Sequence, residues 1–197
     1  MKNDSVIDSV QFSRLLQEGD GSNIEKGTLV QGYVSIGEKI MVSDIHLNRI
    51  VFDSLVTFQG YNGPDEGITL EGCNFLGGLL MEQSAGKYLC MQECKAKHID
   101  LWGGMFDWVY IQDVKVDGSI NVSGLQLAER LIMNKVSFSR LELVHSNSPS
   151  KFIKTPLVMT DNEAAALQFR TAGIPVFIST EMAHKMIKDR MIDLAHV

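Results

Sequence analysis

Apolar residues in the middle of this chain come in triplets with one variable residue between them, and neither a helical stripe nor a long alternation runs through them. Between 99 and 144 the pairs are Ile99-x-Leu101, Val109-x-Ile111, Val114-x-Val116 and Ile120-x-Val122. A triplet whose outer members face inward is a very short strand, because side chains alternate across a strand. Such triplets start at Ile68, Leu79, Leu89, Ile99, Val109, Ile120, Leu131 and Leu141, at intervals of 10 or 11 residues. Each unit carries a second triplet five or six residues in, such as Cys73-x-Phe75, Cys94-x-Ala96, Leu125-x-Leu127 and Val136-x-Phe138.

Four such strands with corners between them use about 20 to 22 residues and return the chain above its start. That predicts a parallel β-helix, in which the coil itself supplies the crossover that parallel strands need. Stacking the units tests the period. Two first-side columns read Ile68, Leu89, Val109, Leu131 and Leu70, Met91, Ile111, Met133. The second side reads Cys73, Cys94, Val114, Val136 and Phe75, Ala96, Val116, Phe138. The third reads Leu79, Ile99, Ile120, Leu141 and Met81, Leu101, Val122, Leu143. The fourth is weaker, with Ser84, Gly104, Leu125 and Gly86, Phe106, Leu127. Upstream, Val34-x-Ile36, Ile40-x-Val42, Ile45-x-Leu47 and Ile50-x-Phe52 keep the spacing, so the solenoid is placed at 28–147. An antiparallel sandwich would show longer strands and hairpin turns. The single Asn-Gly, Asn62-Gly63, falls in an apparent insertion, "YNGPDEG".

The units "CNFLG" (73–77) and "INVSG" (120–124) resemble the pentapeptide-repeat proteins, and the opening "FSRLLQEGDGSNIEKGTLVQG" is similar to the short helix that often precedes such repeats. The resemblance covers about 115 residues and implies a right-handed quadrilateral β-helix. The chain departs from that pattern by placing Ile, Leu or Val at the first inward position, where the family prefers small residues.

A solenoid exposes unpaired strand edges at its ends unless something covers them. For residues 1–27 the sequence predicts a helical cap: Asp8 with Gln11 forms a capping box, Phe12, Leu15 and Leu16 make an apolar face, and Gly19 stops the helix. Residues 148–197 read as an α/β segment that caps the end or packs along a side. There "PLVMT" and "IPVFIS" are strand candidates. Thr160 and Glu163 read as a capping box for a helix over "DNEAAALQFRTAG" ending at Gly173 and Pro175. Ser179 or Thr180 would cap a last helix with Ala183, Met186, Ile187 and Leu194 on one side.

The net charge of −6 disfavours direct nucleic-acid binding, which relies on Lys and Arg. No apolar run reaches the roughly 18 residues a membrane helix needs, and no leader pattern opens the chain. The three cysteines suit reduced thiols in a cytoplasmic protein, with Cys73 and Cys94 facing inward and Cys90 outward. Cys90-x-x-x-Cys94 has no second ligand pair, so no metal and no cofactor is expected.

Chemistry is sparse. The histidines, His46, His98, His145, His184 and His196, show no paired spacing and read as surface residues. Glu93 and Asp113 fall at equivalent corners one coil apart. Such a pair suits acid–base work in a carbohydrate-active β-helix, or is a solvated corner with Lys135 softening its charge. The outward column Thr69, Cys90, Tyr110 and Ile132, flanked by Tyr88 and Trp108 with Trp102 on a nearby corner, makes one side unusually apolar. Its cover is either the chain's own tail or another protein. The expected function is therefore a non-catalytic interaction or assembly module that binds through Tyr88, Cys90, Trp102, Trp108, Tyr110 and Ile132, with a homodimer as the favoured assembly. The alternatives are an acidic DNA mimic of the topoisomerase-binding type and a carbohydrate-active enzyme using Glu93 and Asp113.

Overall fold

A computed structural model describes residues 5–37 and 44–144, and beyond these the strands Leu157–Thr160, Glu163–Arg170, Val176–Ile178 and Ile192–Asp193. Every strand pair in it is parallel, and the chain winds as a β-solenoid of about six turns. Each coil has four sides, because triplets too short to span the coil must turn a corner after two or three residues. The fourth and first sides run together in long strands, Asn62–Glu71, Ala85–Gln92, Met105–Gln112 and Gln126–Asn134. With Ile45–Asn48 before them and Leu157–Thr160 and Val176–Ile178 after, they form a seven-stranded sheet. The second and third sides are mostly strands of two or three residues that meet in Ser137–Val144.

The register agrees with the column alignment. Leu89 pairs with Ile68 and Val109, Val109 with Leu131, and Ile99 with Leu79 and Ile120. The inward members are buried from Ile45 to Leu141, apart from the partly buried Leu125, and make one continuous core. The triplet Ile40-x-Val42 lies outside the described residues.

Asp8 caps the helix Ser9–Glu18 with both bonds of the capping box in place, and Gly19 ends it. Phe12 and Leu16 are fully buried and plug the end of the core. Phe12 meets Phe52 edge-on at 5.3 Å, and Phe52 stacks on Phe75 at 5.2 Å. The cap also contains a strand the apolar pattern did not signal. Val6–Asp8 pairs with Leu29–Gln31 and begins the second-side stack.

At the other end one expectation is corrected. Residues 163–170 are a strand and not a helix: Glu163–Arg170 pairs along Ser137–Val144, placing Leu167 beside Leu141 and Phe169 beside Leu143. A long in-register ladder outweighs the helical preference of three alanines and a local capping pattern. The strand expectations within "PLVMT" and "IPVFIS" hold as Leu157–Thr160 and Val176–Ile178, stacked on the first-side sheet. Ala183, Met186, Ile187 and Leu194 lie outside the described residues, and Ile192–Asp193 is a strand against Leu167–Gln168.

Cys73 and Cys94 are free, stacked one coil apart and 1 % exposed, with each thiol donating to a carbonyl of the preceding coil, Leu47 at 3.4 Å and Leu70 at 3.3 Å. Cys94 is pushed up from the ordinary thiol range by its bond with Cys73 and then by burial. Thiol labelling of the native protein should modify Cys90 first and leave Cys73 and Cys94 protected until unfolding. Rapid native labelling of either buried cysteine would contradict the register.

Candidate functional site: an aromatic face on the first side

Inward residues of the first-side strands alternate with outward ones, so the register that builds the core also builds an outer column. It reads His46, Thr69, Cys90, Tyr110 and Ile132, and Val158 and Phe177 take the next two register positions of the sheet. Thr69, Cys90, Tyr110 and Ile132 are all half-buried. Tyr88 and Trp108 are also in register, and their rings stack at 4.8 Å with planes 10° apart. The Tyr88 ring leans over Gly67, where a Cβ would run into it, so the close approach needs glycine there.

The structure thus brings five of the six sequence-predicted binding residues onto one face. Trp102 stands apart, 46 % exposed on the corner before the fourth side. Beside the stripe is a cavity of about 380 Å³ lined by Cys90, Trp108, Tyr110, Glu129 and Ile132. A second, of about 270 Å³, lies on the fourth side between Asn62, Ala85, Met105, Asp107 and Gln126. Burial pushes the Cys90 thiol up, which keeps it protonated and apolar in character.

A polar ladder borders the stripe, with Asn48, Glu71, Gln92, Gln112 and Asn134 in register. Asn48 Nδ2 donates to Glu71 Oε2 at 2.7 Å, and the Tyr110 hydroxyl donates to Gln112 Oε1. Gln112 Nε2 in turn donates to Asp113 Oδ2 at 2.9 Å. Tyr110 is therefore fixed at its polar tip while its ring stays on the apolar face.

Glu93 and Asp113 occupy the next position, in a column that reads Arg49, Gly72, Glu93, Asp113, Lys135. All five residues have left-handed backbones, with φ from 52° to 61°. Their amide N–H groups bond to the next coil, Glu93 N to Gln112 O at 3.1 Å and Asp113 N to Asn134 O at 3.0 Å. Both acids are exposed, and neither lines either of these cavities. The turn explains what is common to the column: each coil needs one left-handed residue there, and side chains of both charges are tolerated because they point to water.

His46 is part of the outer column, and His98 packs over Gly78. His145, His184 and His196 lie outside the described residues. Among the described residues no three His, Cys, Asp or Glu side chains gather in a metal-holding group. No family model, curated protein or solved structure matches the chain. The continuation of the first-side register to Leu157–Thr160 escaped sequence reading, although Leu157-x-Met159 repeats the Leu131-x-Met133 triplet. The 26-residue step between Ile132 and Val158 hides it.

Replacing Glu93 with glycine should raise stability by about 1 kcal/mol, because glycine adopts the left-handed conformation freely. Urea unfolding of that variant checks the point. A clear loss of stability would mean that the Glu93 side chain makes a contact its exposure does not suggest.

Proposed function

We propose that the chain is a non-catalytic assembly module, a degenerate pentapeptide-type right-handed coil whose first side carries the binding surface, and that its partner is a second copy of itself. One observation carries this reading: an apolar column with a stacked Tyr88–Trp108 pair runs in register along consecutive coils. Leaving such a stripe in water costs about 25 cal/mol per Å² of apolar area. Aromatic anchors in a contiguous patch are the composition of interface centres. The tail strands Leu157–Thr160 and Val176–Ile178 add rungs to the same sheet, so these strands lengthen it and do not lie across it. A two-fold pairing of first sides would bury the same patch on both copies.

The other readings find less support. A DNA mimic needs a continuous acidic rod, whereas Lys95, Lys97, Lys115 and Lys135 stand exposed among the outer faces and corners. A carbohydrate-active enzyme would set its acids in a groove, and Glu93 and Asp113 sit on an open corner. No helix among the described residues is long and apolar enough to cross a membrane. A cytoplasmic location, with no cofactor, remains part of the proposal.

Tyr110→Asp tests it. A carboxylate in the middle of the stripe should leave the core intact and weaken self-association at least tenfold, on the scale of one interface anchor. Light scattering and thermal unfolding read the two effects separately. A variant as associated as the parent, or a parent that is monomeric at all concentrations, would remove the support for this reading.

A further inference from the structure

At the corner between the fourth and first sides the sheet carries a bulge. Gly86 and Tyr88 have one residue between them, but their partners Gly63 and Gly67 are separated by three. The inserted stretch is acidic, with Asp65 and Glu66. Beneath it lies Tyr61, 3 % exposed, whose Oη has no hydrogen-bond partner among the described residues. Leaving a buried hydroxyl unsatisfied is costly enough that native structures seldom do so without a reason.

The hydroxyl converges with the Glu66 carboxylate. A Cβ built on Gly63 would run into Glu66 Oε2 and stand 2.7 Å from Tyr61 Oη, so both oxygens converge over one glycine. Asp44 reaches the end of the bulge from the preceding coil, where its Oδ1 accepts the Gly67 N–H at 2.6 Å. Burial, and then the charges of Glu66 and Asp44, push the Tyr61 phenol up to about 12, so it remains a neutral oxygen donor. Lys87 lies opposite the bulge but makes no ion pair with Glu66, since the ion pairs among the described residues are Arg14–Glu18 and Lys115–Asp117.

We infer that this bulge binds a hard cation of the calcium type through the Glu66 carboxylate, Tyr61 Oη and Asp44, with backbone carbonyls and water completing an oxygen shell. Two carboxylates and a phenol make a weak site, and an irregular loop suits the adaptable coordination of calcium better than the strict octahedron of magnesium. The site adjoins the aromatic face, because Gly67, which ends the bulge, is the residue under the Tyr88 ring.

The test is calorimetric titration of chelator-treated full-length protein with calcium chloride, beside Glu66→Gln, Asp44→Asn and Tyr61→Phe, each checked for folding by circular dichroism. The parent should bind one equivalent with Kd of about 10⁻⁴ to 10⁻³ M, the weak end of the range for calcium sites, and its thermal midpoint should rise with calcium. The carboxylate variants should weaken binding at least tenfold. Tyr61→Phe, which keeps the ring, should weaken it several-fold. A parent that takes up no calcium well above that range, or equal binding by the parent and every folded variant, would overturn the inference. Full binding by Tyr61→Phe alone would also overturn it, because the phenol would then serve only as a partner for water.

Discussion

The structure depends on one constraint: each coil must place the same kind of residue above the one before it. Parallel strands of two or three residues have almost no stability singly, and they persist because backbone bonds run to the coils on either side and inward columns close over a shared core. Cys73 O accepting from Lys95 N at 2.9 Å and Cys94 O accepting from Lys115 N at 3.0 Å are two rungs of that ladder. A change of inward volume is felt by the coils above and below, because interiors are packed without slack. The helix plug formed by Phe12 and Leu16 exists because such a stack has an end.

The same constraint orders the outside. In a stacked coil an outward residue is always beside its equivalents, so apolar choices at one position become a stripe and left-handed choices become a corner ladder. Tyr88 and Trp108 stack face to face because their strands are neighbours. The Tyr88 ring lies face-down over Gly67 of the preceding coil. Glu93 and Asp113 show the opposite case, where adjacency comes from turn geometry and carries no implied chemistry.

Most of the fold was legible because the repeat tests itself: Leu89, Val109 and Leu131 agree chemically only at the right period. The stripe was legible for the same reason. Where coils lengthen, the period fails as a guide. Leu167 and Phe169 continue the Leu141 and Leu143 columns after a 26-residue step, and the alanines between Glu163 and Leu167 suggested a helix instead. Val6–Asp8 went unseen because a three-residue strand without a preceding coil has no column to match. The orphaned Tyr61 hydroxyl had no sequence signal, since burial without a partner is a property of packing.

The central claim is that the first side is covered by a second copy of the chain, and Trp108 is its natural reporter. With Trp102→Phe, Trp108 becomes the single tryptophan. At concentrations where the protein is associated, its emission should be blue-shifted and poorly quenched by acrylamide, and on dilution quenching should rise as the protomers separate. Trp108 emission equally quenched at every concentration would show the face open to water throughout, and the assembly reading would be contradicted.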